Sequence, residues 1–159
     1  MADCDTRIHA HVRQNEEARR IQALTGVGEL TASALLATVA NPRDFKNGRQ
    51  MAAWTGLVPC QNSSGGKQRL GVITKRGDSY LRGLLTQGAR STLQVALKRE
   101  PLRRSRLEQW IVALHGRVGY HKTLVAIANK HIRILWAILA HGESYDPDAW
   151  RRYAPQRHA

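Results

Sequence analysis

Apolar residues recur every three or four positions through the second half of the chain, a spacing typical of α-helices packed around a core. It predicts a helix from Ser79 to about Lys98, with Tyr80 and Leu81 on its buried face, and two further helices at about 105–116 and 120–141. The last is apolar over so wide a face that we expect it to be the central core helix. With one Phe in 159 residues, the core should consist of Leu, Ala, Val and Ile, and the fold class should be mainly α, a compact helical domain.

The first forty residues predict a helix-hairpin-helix motif. Helical spacing over residues 6–24 is followed by Thr25-Gly26-Val27-Gly28, and a second helix then runs to Asn41-Pro42. In such a motif the amides of the hairpin and of the next helix can bind a DNA phosphate without reading the bases, which makes Gly26, Val27 and Gly28 candidate contacts. A plain helical hairpin is the alternative, because short glycine turns join many packed helices.

The middle of the chain predicts a short helix and a small extended element. Residues 47–55 are helical in pattern, with Trp54 directed into the core, and residues near 57–76 alternate as a strand does. Within that element, Asn62 to Arg69 combines small hydroxyls, glycines and cations without an acidic residue. This composition suits phosphate binding, because glycine lets backbone amides approach an anion closely. An ordinary turn is the alternative.

The charge of the chain indicates a polyanionic partner. Lys and Arg number 25 against 12 Asp and Glu, for a formal net charge of +13 and a pI near 10.9. Residues 67–106 hold eleven of the basic residues and only two acidic ones, so nucleic acid is favoured. A membrane surface fits less well, since the basic segment is not an amphipathic helix with aromatic anchors.

Other classes of function find little support in the sequence. No run reaches the about 20 apolar residues of a membrane span, and the first residues lack the apolar centre of a signal peptide, so we expect a soluble, cytoplasmic protein. Cys4 and Cys60 are too few for a disulfide framework and follow no metal-ligand spacing. The seven His residues show no ligand spacing with acidic residues either. The residues therefore predict no metal site in this chain.

Several blocks of sequence occur together in a specific order. They are Leu24-Thr25-Gly26-Val27-Gly28, Phe45-Lys46-Asn47-Gly48-Arg49-Gln50, Trp54-Thr55-Gly56-Leu57-Val58-Pro59, Ser63-Ser64-Gly65-Gly66-Lys67, Gly71-Val72-Ile73-Thr74-Lys75-Arg76-Gly77-Asp78, Tyr80-Leu81-Arg82 and Ala128-Asn129-Lys130. Together they resemble the C-terminal domain of bacterial insertion-sequence transposases of the one-ten and eleven-eleven type, relatives of the Piv DNA invertases. The similarity runs from about residue 18 to about residue 145.

The resemblance implies a division of labour for DNA transposition. In that family an RuvC-like N-terminal half supplies four carboxylates that hold Mg²⁺, and the C-terminal half supplies a serine that attacks DNA and becomes covalently attached to it. The serine precedes a glycine, which places it at Ser64. The family also implies DNA as partner, a structured guide (bridge) RNA, and dimers or higher assemblies in a bacterial cytoplasm.

The chain departs from the family because nothing in it resembles the RuvC-like half. We therefore expect a C-terminal fragment of a truncated or split element that does not cut DNA alone. The alternative is a non-catalytic nucleic-acid-binding module or an inactive remnant. The predicted parts are an N-terminal helix extension at 1–17, the transposase domain at 18–145 with the helix-hairpin-helix at about 18–40 and the serine loop at 59–67, and a tail at 146–159. Further candidate nucleic-acid contacts, inferred from proximity in sequence, are Gly65, Gly66, Lys67, Arg69, Lys75, Arg76 and Arg82.

Overall fold

A computed structural model describes the backbone of residues 2–64 and 67–148, and the side chains of residues 3–60 and 71–148. This part of the chain forms seven α-helices, two short 3-10 helices at Pro42–Asp44 and Pro101–Arg103, and one pair of β-strands. The elements are α1 (Ala2–Gln14), α2 (Glu16–Gln22), α3 (Glu29–Thr38), α4 (Gly48–Trp54), β1 (Pro59–Ser64), β2 (Lys67–Ile73), α5 (Ser79–Lys98), α6 (Arg106–Val118) and α7 (Tyr120–His141). The predicted mainly α domain with a small extended element is confirmed.

The N-terminal helical segment is two helices, so the prediction of one helix over residues 6–24 was wrong. Asn15 separates them with extended backbone, at φ −96° and ψ 115°. Its side-chain oxygen accepts a hydrogen bond from the Ala18 amide at 3.1 Å. This N-cap satisfies an amide of α2 that has no partner within the helix, and it lets α1 and α2 take different directions.

Side-chain caps also fix the start of the long helices. The Asp78 carboxylate accepts from the amides of Tyr80 and Leu81 at 2.8 and 3.0 Å, and α5 begins directly after it. At α6, Ser105 and Glu108 form a reciprocal capping box. Glu108 is buried there, and the Arg99 guanidinium lies 3.1 Å from its carboxylate. The caps explain why these two starts could be predicted to within a residue or two.

Helix α7 lies at the centre of the domain and packs against α4, α5 and α6. Its buried face includes Ile127, Ile132 and Leu135, which join the core side chains of the other helices. By length and composition alone α7 could cross a membrane. More than half of its apolar stretch is buried inside the domain, as expected of a central core helix, and the prediction of that role is confirmed.

Two aromatic side chains that were expected in the core lie at the surface. Trp54 is 37% exposed and packs on Phe45, with the ring centroids 5.5 Å apart. Tyr80 is 58% exposed, because it stands beside the buried stripe of α5 that Leu81 and Leu85 begin. Helical spacing alone could not distinguish Tyr80 from its neighbour at the first turn.

The C-terminal segment after α7 continues without helix to residue 148. Gly142 ends α7 in the left-handed conformation at φ 67°, as glycines at the C-terminal end of a helix often do. Tyr145 then packs against the core, and burial together with Glu108 and Asp146 raises the pKa of its phenol. The predicted tail at 146–159 lies for the most part outside the described residues.

Candidate nucleic-acid interface

The predicted serine loop is a β-hairpin. Strands β1 and β2 pair antiparallel, with Pro59 opposite Ile73 at the open end and Ser64 opposite Lys67 at the turn end. The pairing is irregular between Pro59 and Gln61. Cross-strand neighbours in such a ladder have Cα atoms about 5 Å apart, so the backbone of Ser64 lies next to that of Lys67. The predicted turn residues Gly65 and Gly66 lie outside the described residues, and Ser64, Lys67 and Arg69 are described by their backbone alone.

Hydrogen bonds hold the open end of the hairpin to the helical core. The amides of Thr74 and Lys75 donate to the carbonyls of Val58 and Gly56, at 2.9 and 3.2 Å. From α7, the Asn129 side-chain amide donates to the Leu57 carbonyl at 3.0 Å. The hairpin therefore leaves the core from a position that several elements fix together.

Two glycines at this open end permit close contact between backbone segments. Gly56 and Gly77 have φ of +74° and +107°, which disfavour a side chain. A Cβ at Gly56 would lie 2.1 Å from the Arg76 carbonyl oxygen, and one at Gly77 would lie 2.0 Å from that of Trp54. Both glycines are thus required where the chain enters and leaves the hairpin.

Three predicted cationic contacts lie near the open end of the hairpin, away from its turn. Lys75 and Arg76 are exposed, and Lys75 has a positive φ of 54°. Arg82, in the first turn of α5, is half-buried and donates from Nη1 to the Thr55 carbonyl at 3.3 Å. Arg82 therefore also ties α5 to the segment that leads into the hairpin.

The α2–α3 turn, residues 23–28, lies against α5. A Cβ on Gly26 would be 2.4 Å from the Gly88 carbonyl oxygen, and one on Gly88 would be 2.0 Å from that of Gly26. Thr92 donates to the Thr25 carbonyl at 2.8 Å, and Val27 is only 6% exposed. Close helix packing is thus one physical reason for Gly26 and Val27.

The start of α3 is the exposed part of that turn. Gly28 is its N-cap and has no side chain to cap the helix, and a Cβ at this position would meet no atom within 4 Å. The adjacent Glu29 pairs with His9 of α1, Nδ1 to Oε1, at 2.5 Å. Of the predicted hairpin contacts, Gly28 has the geometry that leaves amides open to a ligand.

Helix α5 connects the two candidate nucleic-acid contacts, the hairpin and the α2–α3 turn. Arg82 contacts the segment before the hairpin and Gly88 contacts the α2–α3 turn. The two residues are about 9 Å apart along the helix axis. Two motifs that are far apart in sequence are therefore neighbours on one rigid element.

A groove of about 1140 Å³ runs beside the hairpin, between β2 and the helices α6 and α7. We call it the hairpin groove. Its floor is apolar, with Val72, Ile73, Trp110, Leu114 and Val125. Its cationic edge consists of Lys75, Lys122, Lys130 and Arg133. Sequence reasoning missed this surface, although the cations of α7 recur at helical spacing within a segment that was interpreted only as core.

Lys130 occupies a cationic neighbourhood within the groove. Its Nζ lies over the Trp110 ring, 4.5 Å from the centroid. Partial burial lowers the pKa of Lys130, and the charges of Arg133 and Arg106 lower it further. No carboxylate in the described part of the chain forms a salt bridge with Lys122, Lys130 or Arg133. This edge therefore carries positive charge that an incoming anion could neutralise.

One histidine lies in the interior. His131 on α7 is 1% exposed, and neither ring nitrogen meets a hydrogen-bond partner among the described residues. Burial lowers its pKa to about 4, so the ring is neutral at physiological pH. Over residues 2–64 and 67–148, no group of three or more His, Cys, Asp or Glu side chains could hold a metal ion.

The fold, the charge and the hairpin together define a class of protein domain: basic, mainly α-helical, with one two-stranded β-hairpin. The chain belongs to the transposase family IS116/IS110/IS902, whose profile matches residues 18–104. This confirms the resemblance seen in the sequence.

Individual relatives agree with the family assignment. The chain is 44% identical over 147 residues to a "Probable family 20 transposase" of Pseudomonas aeruginosa, covering 92% of this chain and 42% of the relative. It is 40% identical to the "Transposase for insertion sequence element IS1111A" of Coxiella burnetii, covering 91% and 39%. It is 36% identical to the "Transposase for insertion sequence element IS1328" of Yersinia enterocolitica, covering 88% and 41%. The chain thus spans about two fifths of the length of these relatives.

Proposed function

We propose that this chain is the DNA-binding, serine-bearing part of an insertion-sequence transposase and acts in DNA transposition. The observation that carries the proposal is the place of Ser64 at the turn end of a hairpin, opposite Lys67, on a basic domain of this family. A hydroxyl at the end of a protruding hairpin can approach a DNA backbone that a flat surface would hold at a distance.

The proposed chemistry is a phosphoryl transfer through Ser64. Its Oγ loses a proton, forms a bond to the DNA phosphorus, and one P–O ester bond of the DNA breaks as the departing oxygen takes up a proton. Attack by a second DNA hydroxyl on the same phosphorus reverses the exchange and frees the serine. Charge develops on the phosphoryl oxygens during each step, and a cation beside the phosphorus stabilises it.

The cations at the two ends of the hairpin have different roles in our proposal, because the hairpin is too long for them to contact the same phosphate. Lys67 is the cross-strand neighbour of Ser64 and can stabilise the reacting phosphate. The distance along the strand from Ser64 to Pro59 is about 17 Å, and Lys75 and Arg76 lie beyond that open end. Those two are too far from the serine to contact the same phosphate, and we assign them to DNA phosphates on either side of it.

The described residues do not fit the Mg²⁺ ions that the family implies. Four carboxylates would be needed, and this part of the chain has no cluster that could bind a metal. We therefore assign no step through a metal to this chain. In our proposal the metal-binding carboxylates belong to an RuvC-like part of the relatives that lies outside the matched region, and a guide RNA and an oligomeric assembly remain predictions.

A covalent-trapping experiment tests the nucleophile. The purified chain is mixed with the complementary N-terminal part of the Pseudomonas aeruginosa relative, Mg²⁺ and labelled element-end DNA, and adducts that survive denaturing electrophoresis are measured. We expect an adduct with the natural sequence and with Ser63→Ala, and none with Ser64→Ala. An adduct of undiminished yield in Ser64→Ala would show that another group attacks.

The net charge of +13 and the open start of α3 favour a second candidate, a non-catalytic nucleic-acid-binding module. It predicts that Ser64→Ala binds DNA as well as the natural sequence does. It also predicts a steep loss of affinity with salt, because each phosphate contact releases counterions. Affinity that stays constant across a salt titration would exclude this candidate.

A further inference from the structure

We propose that the hairpin groove binds a single strand of nucleic acid, with unstacked bases on its apolar floor and phosphates along its cationic edge. The inference rests on the proposed function, since it names the form of nucleic acid that lies beside the same hairpin. It concerns the edge and floor residues defined above, and it requires no contact from the turn end of the hairpin.

The floor of the groove exposes more contiguous apolar surface than is usual for a protein surface that contacts only water. Val72 is 78% exposed on β2, and it continues into Ile73 and across to Leu114 and Val125. An apolar side chain exposed singly is ordinary, but a contiguous apolar surface in a groove marks a binding site. The occupant should therefore offer flat or apolar groups of its own.

The edge of the groove adds a requirement for negative charge. Lys122, Lys130 and Arg133 stand on α7, and Lys75 faces them from the hairpin side. No Asp or Glu lines the groove among the described residues. A partner that repeats its negative charges along its length complements such a row better than one isolated anion does.

A single strand meets both requirements together. Its bases have apolar faces that can leave the stack and lie on aromatic or apolar side chains, while its phosphates follow a basic groove. A duplex keeps those faces inside its own stack, so the floor would have no apolar partner. The combination of floor and edge therefore favours single-stranded nucleic acid over duplex.

The groove also lies in line with the hairpin. Pro59 and Ile73, the paired residues at the open end, line it. The turn end with Ser64 is about 17 Å farther along the strands, which is at most about five nucleotides even at the stacked duplex rise of roughly 3.4 Å per nucleotide. A strand that leaves the groove along the hairpin would thus reach the serine within a few nucleotides.

Fluorescence polarisation with the 159-residue chain tests the inference. The probes are a labelled single-stranded DNA of about 20 nucleotides, longer than common single-strand site sizes, and its matching duplex. The groove variants are Val72→Asp and Lys122→Glu. Their controls are Leu102→Asp, at an apolar residue that is 94% exposed, and Lys98→Glu, at an exposed cation at the end of α5. Each control matches the charge change of its partner.

We expect Val72→Asp to lower the affinity for the single strand by about tenfold, the lower part of the range for loss of base stacking. Lys122→Glu should lower it by a similar factor because a phosphate contact is lost. Their affinity for duplex should fall less, and the controls should change neither by more than about threefold. Val72→Gln, which adds no charge, should also weaken single-strand binding. Circular dichroism melting curves verify that all variants fold.

The outcomes separate this inference from the proposed function. Single-strand affinity unchanged in the folded groove variants would overturn the inference, including the case in which another protein segment covers the groove. Salt-dependent duplex binding and the Ser64 adduct would then still support the proposed function. A chain that binds neither single strand nor duplex would overturn both.

Discussion

The α2–α3 turn and the β1–β2 hairpin are two glycine-containing regions of one small domain that pack differently. Both contain glycines, and both were predicted to contact nucleic acid. The α2–α3 turn packs against α5 through Gly26 and Gly88, with only Gly28 left open. The hairpin is held by hydrogen bonds at its open end and extends outward from there, with Val72 largely exposed.

The contrast shows why a glycine motif is ambiguous in a sequence. The absence of Cβ allows either a ligand or another backbone to approach closely, and the residue itself does not say which. For Gly26 the approaching backbone is that of Gly88, far along the chain. Only the folded structure brings the two together.

The largest expected effect comes from disrupting the contact between the α2–α3 turn and α5. Gly88→Ala places a methyl group 2.0 Å from the Gly26 carbonyl, so we expect the free energy of unfolding to fall by about 3 kcal/mol. Gly83→Ala is the matched control in the same helix, because a Cβ there meets nothing within 4 Å. It should raise stability by about 1 kcal/mol through helix propensity. Urea denaturation measures both, and equal effects would refute the packing role of Gly88.

The next largest effect concerns the packed interior, where the buried His131 becomes protonated at low pH. His131 has a folded pKa of about 4 and an ordinary unfolded value near 6.5. Between these values the unfolded state binds more protons than the folded state. The free energy of unfolding is therefore not reduced by His131 above the unfolded-state pKa, and it falls as the pH drops toward the folded-state pKa. At about pH 4.5 the linkage costs the native state between about 2 and 3 kcal/mol.

His131→Leu should remove this contribution, so the variant gains on the natural sequence as the pH is lowered. Unfolding free energies at about pH 7 and about pH 4.5 give the measurement. The matched control is His11→Leu at an exposed residue of α1, which should keep the acid sensitivity of the natural sequence. An unchanged pH profile in His131→Leu would locate the acid sensitivity elsewhere.

The smallest expected effect concerns the extended side of the contrast. Asn129→Ala removes the hydrogen bond to the Leu57 carbonyl and should lower the free energy of unfolding by about 1 kcal/mol. Amide exchange should become faster in β1 and β2 first, since the hairpin loses a support. Gln109→Ala, which removes a similar bond from an exposed amide on α6, should leave exchange in the hairpin unchanged. Faster exchange throughout the core instead would mean that the hairpin and the interior unfold as one unit.

Local signals explain what the sequence predicted well. The bounds of α5 and α7 follow from apolar spacing, from Asp78 at one start and from Gly142 at one end. Asn15 was also a local signal, since Asn is a strong N-cap. The continuous apolar spacing on either side of it concealed the break between α1 and α2.

Long-range contacts explain what the sequence did not predict. Whether Trp54 or Tyr80 is buried depends on the element that packs beside it, which spacing within one helix does not specify. The hairpin groove needs residues near 72 and residues near 122–133 on facing walls. Its cations were visible in the sequence, but their common edge exists only after α7 and the hairpin come together.

The Asn129 amide has a mechanical consequence for that groove. Its hydrogen bond to the Leu57 carbonyl joins the α7 wall of the groove to the segment that leads into the hairpin. Asn129 lies on the same turn of α7 as Lys130. Together with the backbone hydrogen bonds of Thr74 and Lys75, this side chain helps to set the distance between the two walls and thus the width available to a bound polymer. Exchanging that side chain for a longer or shorter one offers a way to retune the gap while the rest of the domain keeps its shape.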